Sequence, residues 1–375
     1  MKILVTGANG FIGRNLIAEL RNRGYQDILS YDIDTDPSLL DEYCRECEFV
    51  FHLAGVNRPK EVKEFMEGNY GFTTVLVEKL KKYQNRSPLV VSSSIQAALD
   101  NPYGKSKKAG EDYIFAYEKE TGSPVYVYRF PNVYGKWSRP NYNGVVATFC
   151  YNIARDLPIQ ISDRSIELTM VYIDDVVDAL ISCLEGKGKQ EGKYYKVPIE
   201  DHVTLGEIAD LIQSFKKMRE NLSVPNFQNH FEKSLYSTYL SYLPEDAFSY
   251  PLTMHEDARG SFTEMIRTME RGQFSVNISH PGITKGNHWH HTKNEKFLVV
   301  SGHCLIRFRK VGTDQVITYD VSGDRLEVVD IPCGYTHNIT NVGDSDSVTL
   351  MWCNECYDPS HPDTFFMEVE PNGKK

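Results

Sequence analysis

A tyrosine, a lysine and a run of serines are spaced in this sequence so that they could transfer a proton. Tyr103 and Lys107 lie four residues apart, so both side chains occupy one face of a helix. Just upstream, residues 90–94 read VVSSS, which is typical of a strand that ends in hydroxyl groups. A phenol with a pKa of about 10 transfers protons slowly at neutral pH, and a nearby ammonium stabilises its anion. We predict that Tyr103 protonates the oxygen of a ketone during its reduction, that Lys107 supplies the charge and that a serine holds the oxygen.

Two glycine-framed stretches, 282–302 and 332–341, have the residue types and spacing of a metal site. The predicted ligands are His288, His290, Glu295 and His337. Residues two apart on a strand share one face, so the first two histidines can reach one ion, and the glutamate follows in the same hairpin. Three imidazoles and a carboxylate suit zinc, iron, manganese or nickel about equally, and we expect one divalent ion, zinc. Because four protein ligands can also close a structural site, the role of the metal stays open.

A glycine loop near the N-terminus predicts where a dinucleotide would bind. Residues 7–13 read GANGFIG between a strand-like run and a helix-like segment, so the backbone can turn tightly and approach a pyrophosphate at the helix N-terminus. A second strand-like run ends in Asp32, where a carboxylate can accept hydrogen bonds from ribose hydroxyls. The predicted cofactor-binding residues in this region are Gly7, Gly10, Phe11, Ile12, Gly13, Arg14 and Asp32, together with Tyr103 and Lys107.

Two of these residues favour different forms of the cofactor. The carboxylate of Asp32 would repel the 2′-phosphate of NADPH, whereas the guanidinium of Arg14 could pair with it. The residues alone therefore leave NADH and NADPH open.

The rest of the sequence supplies the elements that position these groups. Up to about residue 240, β-type runs alternate with helical segments, which predicts a Rossmann-type α/β fold with a doubly wound parallel sheet. The stretch 234–252 breaks this rhythm, and the β-type runs beyond it, separated by turn residues, predict a β-sandwich or barrel. We predict a dinucleotide-binding domain over residues 1–243 and an all-β domain over residues 244–375.

Composition excludes several classes of protein. The net charge of −10, from 51 acidic and 41 basic residues, disfavours a nucleic-acid or anionic-membrane surface. No apolar run approaches the ~20 residues of a membrane span and the N-terminus does not read as a targeting peptide, so we expect a cytoplasmic protein. The CxxC pairs at 44–47 and 353–356 lack zinc-ribbon spacing, and eight cysteines in 375 residues are too few for a disulfide framework.

The first 240 residues resemble the extended short-chain dehydrogenase/reductase family that acts on nucleotide-activated sugars. The matching pieces are GANGFIG, FHLAG at 51–55, Asn69, VVSSS, YGKSK at 103–107, RFPNVYG at 129–135 and VYIDDVV at 171–177. The resemblance implies that Ser94 acts with Tyr103 and Lys107. It also implies that Leu53, Ala54 and Gly55 lie beside the cofactor and that Ser93, Ser94 and Asn132 contact the substrate.

The second half resembles the cupins, which are jelly-roll barrels, in both of their sequence motifs. Eight residues separate Gly323 from Pro332, where cupins usually have fewer, and we expect a longer turn there. The whole chain resembles bifunctional enzymes of capsular polysaccharide synthesis.

This resemblance implies a UDP-linked 4-keto-2-acetamido-2,6-dideoxyhexose as substrate. The cupin domain would invert C3, and the first domain would then reduce C4 with NADPH. The product would be UDP-2-acetamido-2,6-dideoxytalose, a precursor of N-acetylfucosamine in surface polysaccharide, and the enzyme would be a homodimer. A C4 ketone acidifies the C3 proton, so a base can remove it. The candidates for that base are Lys293, His303, Tyr335 and His337.

Two other interpretations stay open. The chain could be a single-function 4-keto reductase or 4-epimerase whose β-domain binds sugar or forms the dimer. It could also be a non-enzymatic module that senses the cofactor, although the intact YGKSK segment weighs against this.

Overall fold

The computed structural model describes residues 1–370, which fall into two compact units. One unit comprises residues 1–214 and 226–245, and the other comprises residues 215–225 and the described chain from 246 onward.

The strands of the first unit follow from short β-branched and apolar runs. They are β1 (Ile3–Thr6), β2 (Ile28–Tyr31), β3 (Phe49–His52), β4 (Leu89–Ser94), β5 (Val125–Phe130), β6 (Asn132–Tyr134), β7 (Glu167–Tyr172), β8 (Gln190–Glu191), β9 (Tyr194–Tyr195) and β10 (Asp201–Thr204). The main sheet has the order β2-β1-β3-β4-β5-β9-β8, and β1 to β5 pair in parallel. A smaller sheet has the order β10-β7-β6.

Helices connect these strands, as the alternating pattern predicts. They are α1 (Phe11–Asn22), α2 (Leu39–Glu46), α3 (Lys63–Phe65), α4 (Phe72–Lys82), α5 (Pro102–Thr121), α6 (Val145–Ala154), α7 (Ile173–Ser182), α8 (Leu205–Asn221) and α9 (His230–Leu240). A π-helical turn, Met66–Gly71, joins α3 to α4, and short 3-10 turns cover Ile95–Ala98, Cys183–Glu185 and Glu245–Ala247. Local chemistry fixes both ends of α5, because Asn101 accepts the N–H of Gly104 at 2.7 Å and Gly122 ends the helix in the left-handed conformation.

The main sheet is covered on both faces. Ile3 and Val5 of β1 pack into one apolar cluster, whereas Leu4, between them, packs into another with Leu76 and Leu80 of α4. Successive residues of a strand point to opposite faces, so a strand buried on both sides reads as a continuous apolar run. The predicted doubly wound α/β fold is confirmed.

The second unit is built from antiparallel strands in two sheets. They are β11 (Met254–Asp257), β12 (Gly260–Thr268), β13 (Gly272–Ser279), β14 (Thr284–Trp289), β15 (Glu295–Ser301), β16 (His303–Lys310), β17 (Val316–Ser322), β18 (Val328–Ile331), β19 (Tyr335–Asn341), β20 (Ser347–Cys353) and β21 (Phe365–Phe366). The sheet orders are β11-β12-β13-β20-β15-β18 and β17-β16-β19-β14-β21. Their shared core includes Phe297, Ile306 and Ile339. The predicted cupin-type β-domain is confirmed.

Within residues 1–370, no helix is both long enough and apolar enough to cross a membrane.

Candidate functional sites

The glycines of the loop between β1 and α1 allow three backbone segments to meet. Gly7 has a φ of 69°, and a Cβ there would lie 2.7 Å from the amide nitrogen of Ala54. A Cβ on Gly13 would collide with the carbonyl oxygen of Gly7 and lie 2.9 Å from that of Ala8. Gly10 caps α1 without a side chain, which leaves the N–H groups of the first turn available to an anion. These features fit the pyrophosphate of a dinucleotide.

The remaining predicted cofactor residues lie around this loop. Asp32 accepts the backbone N–H of Asn9 at 2.7 Å and that of Ile33 at 2.8 Å, so its carboxylate is held beside the loop. The exposed guanidinium of Arg14 lies against the ring of Trp137, with 5.6 Å from Cζ to the ring centroid. The side chains of Phe11 and Ile12 pack partly against the core, so their backbone is the part that can face a cofactor. Leu53 follows β3 and donates its N–H to the carbonyl of Thr6 at 3.1 Å, beside Ala54 and Gly55.

Ser94, Tyr103 and Lys107 come together where β4 ends and α5 begins. Ser94 is the last residue of β4, and its hydroxyl accepts the N–H of Gln96 at 3.2 Å. The same hydroxyl is near enough to the phenol of Tyr103, in the first turn of α5, to lower the pKa of that phenol. The ammonium of Lys107 donates to the carbonyl of Ser92 at 3.1 Å and lies 5.9 Å from the centroid of the Tyr103 ring. A Cβ on Gly55 would lie 3.0 Å from this ammonium, so the glycine leaves room for the lysine beside the cofactor loop.

Burial is the largest influence on the protonation states of this group. It raises the pKa of Tyr103, and Ser94 offsets part of that rise. Lys107 is not among the causes of this shift, so stabilisation of the phenolate by its ammonium stays a prediction. Burial lowers the pKa of Lys107 to about 8, against the opposing charge of Glu111. At neutral pH this leaves a neutral phenol beside an ammonium, which is the state needed to protonate a ketone oxygen.

The two further residues predicted to contact substrate have other partners. The buried hydroxyl of Ser93 donates to Oε1 of Glu111 at 2.6 Å. The side chains of Ser93 and Ser94 therefore face opposite sides of the strand. This follows from strand geometry, because adjacent residues face opposite sides of the sheet. Asn132 on β6 is exposed, and its amide donates to the carbonyl of Thr169 at 3.1 Å.

A buried glutamate supports the lysine, and sequence reasoning missed it. Glu111 is 1% exposed and lies one helical turn beyond Lys107 on α5. It accepts two hydrogen bonds from Arg129, at 2.8 and 2.6 Å, and one from Tyr194 at 3.0 Å. The available signal was its position four residues after Lys107, which places both on one helix face.

Asn69 links the cofactor loop to α5. Its side chain accepts the N–H of Val56 at 2.9 Å and donates to the carbonyl of the same residue at 3.0 Å. It also donates to the hydroxyl of Ser106 at 2.9 Å. One buried amide thus fixes residues after Gly55 against the helix that carries Tyr103.

The four predicted metal ligands of the second unit converge. Nitrogen and oxygen atoms of His288, His290, Glu295 and His337 all lie within 4.8 Å of one another. His288 on β14 is directly opposite His337 on β19, which the sequence places far apart. Oε2 of Glu295 lies 3.2 Å from Nε2 of His337 and 3.5 Å from Nε2 of His290.

The state of these groups fits a cation. Nε2 of His290, Nε2 of His337 and Oε2 of Glu295 are buried and make no hydrogen bond of good geometry. Burial, and then the neighbouring His337, lowers the pKa of His288 to about 4, so its imidazole is neutral at pH 7. Burial opposes ionisation of Glu295, but the nearby imidazoles and the charge of Lys293 together keep its pKa well below the usual range. Neutral imidazoles and an ionised carboxylate are the forms that bind metals.

A cavity of about 610 Å³ lies beside these residues. It is lined by His288, Lys293, Glu295 and His337, by the polar residues Ser261, Gln273, Ser275 and Asn277, and by the apolar residues Phe297, Ile339 and Met351. This volume is within the usual range for small-molecule sites.

The cavity separates the four candidates for the C3 base. Lys293 lines it, with its ammonium 3.4 Å from Oε1 of Glu295, and so does His337. His303 instead pairs with Asp320 at 2.6 Å, and both side chains are largely exposed. Tyr335 packs against the apolar core of the unit.

Comparison with known proteins agrees with this division. Residues 3–197 match the model of the NAD dependent epimerase/dehydratase family, and residues 255–365 match the polysaccharide biosynthesis C-terminal domain. Over 369 residues the chain is 46% identical to a UDP-2-acetamido-2,6-beta-L-arabino-hexul-4-ose reductase of Pseudomonas aeruginosa, covering 98% of this chain and 99% of that protein.

Solved structures show the same relationships. The chain is similar to the crystal structure of the capsular polysaccharide assembling protein CapF from Staphylococcus aureus, with a TM-score of 0.93 and 53% sequence identity. The match covers 98% of this chain and 100% of that chain. The structure of a UDP-glucose 4-epimerase of Thermus thermophilus in complex with NAD matches with a TM-score of 0.52 and 22% sequence identity. The match covers 64% of this chain and 99% of the epimerase chain, which indicates a shared fold. The chain therefore belongs to the NAD dependent epimerase/dehydratase family, and over nearly its whole length to the CapF-like branch that carries a C-terminal polysaccharide biosynthesis domain.

Proposed function

We propose that this protein is a bifunctional enzyme of surface polysaccharide synthesis that uses a nicotinamide cofactor. Its substrate is a UDP-linked 4-keto-2-acetamido-2,6-dideoxyhexose, whose C3 is inverted in the β-domain before C4 is reduced in the first domain. The product is UDP-2-acetamido-2,6-dideoxytalose. One observation carries the proposal: a single chain holds a Ser94–Tyr103–Lys107 group beside a glycine loop and also a three-histidine, one-glutamate cluster on a cavity. The substrate class is supported by the similarity to the Pseudomonas aeruginosa relative, which is named as a reductase of a UDP-linked hexul-4-ose.

The reduction needs one proton at O4, and the first domain offers a donor for it. A nicotinamide bound at the glycine loop supplies the hydrogen and both electrons that C4 gains. The hydroxyl of Ser94 donates a hydrogen bond to O4, and the neutral phenol of Tyr103 transfers its proton to the same oxygen. The ammonium of Lys107 stabilises the phenolate left behind, which then recovers a proton from water.

The inversion must precede the reduction, because only the C4 ketone makes the C3 proton acidic. A base removes this proton, and C3 is reprotonated from the opposite face, so the step consumes no cofactor. A divalent ion held by the four ligands would stabilise negative charge on the ketone oxygen. Lys293 is the candidate base that we favour, since it lines the cavity without being one of those ligands. Its ammonium, which lies beside Glu295, must release a proton before the amine can remove the one at C3.

We propose NADPH as the preferred cofactor. Both oxygens of Asp32 accept backbone N–H groups, which offset part of the carboxylate charge that would repel a 2′-phosphate. Arg14, placed against Trp137, offers the positive charge that would attract it. We also propose zinc as the ion and a homodimer as the assembly, both on the resemblance to the capsular enzymes.

The central experiment combines cofactor oxidation with isotope exchange. The UDP-4-keto-6-deoxy-HexNAc is incubated with the full-length protein in deuterated water, with and without NADPH, and the product is identified by NMR. We expect deuterium at C3 even without cofactor, and one NADPH oxidised per product formed. Tyr103→Phe should lose cofactor oxidation and keep the exchange at C3. Full reductase activity of this variant would contradict the assignment.

A second candidate function is reduction alone, with a β-domain that has no chemical role. The observation in its favour is that the curated relative is named only as a reductase. In that case the product would form from the 4-keto sugar with no deuterium entering C3 at any stage.

A further inference from the structure

The segment 363–369 lies along the strand that carries one of the four ligands. Within it, β21 pairs with β14, so Phe366 is opposite His288 and Phe365 is opposite Trp289. The next residue, Met367, donates its N–H to the carbonyl of Asn287 at 2.9 Å. The segment therefore belongs to the wall of the predicted metal site.

The carboxylate of Asp363 holds the turn between β14 and β15. It accepts the backbone N–H groups of three successive residues, His291 at 2.8 Å, Thr292 at 2.7 Å and Lys293 at 2.9 Å. The hydroxyl of Thr292 adds a fourth bond at 3.1 Å. Burial opposes ionisation of this carboxyl, but the N–H groups hold the pKa of Asp363 below its usual range. The turn fixed in this way connects His290 to Glu295.

The main chain of the same residue orients a predicted ligand. The carbonyl oxygen of Asp363 accepts a hydrogen bond from Nδ1 of His290. A carbonyl can only accept, so Nδ1 carries the proton and the lone pair of His290 is on Nε2, the atom that lies 3.5 Å from Glu295. Such outer partners fix the ring orientation of histidine ligands.

The segment is itself anchored to the barrel. Arg309, a buried arginine, donates to the carbonyls of Val369 at 2.6 Å and Glu368 at 2.5 Å. The hydroxyl of Thr336, next to His337 in sequence, donates to the carbonyl of Met367. Asp363 is therefore held at a defined position relative to all four ligands.

We propose that Asp363 is a positioning residue of the metal site, which fixes the turn 291–293 through its carboxylate and the tautomer of His290 through its carbonyl. The inference rests on the metal binding included in the proposed function. It concerns binding of the ion and not the reaction, so the two can be tested separately.

The experiment compares the zinc affinities of two variants, each of which lacks one carboxylate of the same region. Asp363→Ala and the matched control Asp358→Ala are made in the full-length protein; the Asp358 carboxylate accepts the N–H and the hydroxyl of Ser360 instead. Zinc dissociation constants are measured by competition with a chromophoric chelator, without sugar or nicotinamide. We expect Asp363→Ala to weaken zinc binding by about 10-fold to 100-fold, the usual effect of losing an outer partner of a ligand, and Asp358→Ala to leave it unchanged.

Cobalt(II) absorption provides a readout that a general loss of stability would not change. The visible bands of the cobalt-loaded protein should shift in wavelength in Asp363→Ala and stay at the same wavelengths in the control. Asp363→Asn keeps the side-chain shape and serves if the alanine variant does not fold, because one amide oxygen replaces two charged acceptors.

Three results would overturn the proposal: unchanged zinc affinity and cobalt spectrum in the Asp363 variants, an equal loss in Asp358→Ala, or a wild-type protein that does not bind zinc. If zinc binding depends on Asp363 but no deuterium enters C3, the positioning role stands and the epimerase activity fails.

Discussion

The charge state of Lys107 should set the alkaline limit of the reduction. Burial lowers its pKa to about 8, and Glu111, one turn further along α5, opposes that shift. At pH 7, one unit below this pKa, roughly ten lysines carry the charge for each neutral one, and at pH 9 the ratio is reversed. Loss of the proton removes the charge that stabilises the Tyr103 phenolate. We therefore expect kcat for reduction to fall with an apparent pKa of about 8.

Two substitutions should move this limit in opposite directions. Glu111→Gln removes the charge that raises the lysine pKa, so the fall should begin at lower pH. Lys107→Arg keeps its charge at all pH values tested, so the fall should move to higher pH, with a lower maximal rate because the guanidinium is larger. Lys108→Met is the matched control, since this half-buried neighbour on α5 pairs only with Asp112 among the partners seen in residues 1–370.

The assay is NADPH oxidation at saturating sugar between pH 6 and pH 10, with circular dichroism at each pH to confirm folding. The buried Glu111 also bonds Arg129, so the glutamine variant must be shown to be folded before its profile is compared. A profile that is flat up to pH 10, or one that neither substitution moves, would refute the role of the lysine charge.

Four further predictions follow from the sites. Gly13→Ala should abolish dinucleotide binding and destabilise the fold by about 1–3 kcal/mol, because its Cβ collides with the loop backbone, as fluorescence titration and urea unfolding can measure. Metal removal should stop deuterium entry at C3 and leave reduction of a C3-inverted 4-keto sugar intact; unfolding of the β-domain would instead indicate a structural ion. Arg14→Ala should raise KM for NADPH more than for NADH, and equal effects would argue against a 2′-phosphate contact. Lys293→Met should stop C3 exchange without loss of zinc affinity, whereas retained exchange would leave the base to another residue.

Much of the fold was predictable because the relevant signals are local. Alternating strands and helices follow from apolar runs and their periodicity, and the ends of α5 follow from Asn101 and Gly122. The convergence of His288 and His337 was also expected from two motifs, and the register of β14 and β19 places them opposite each other.

The sequence by itself thus determined the types of reactive group and their placement along each element, because helix and strand periods assign side chains to faces. Only the tertiary structure decided their surroundings. It turned Ser93 toward Glu111, raised the pKa of Tyr103 through burial and brought Asp363 to a turn some 70 residues earlier in the chain. These outcomes depend on loss of water and on pairing between distant segments, and no local period of the sequence encodes either of them.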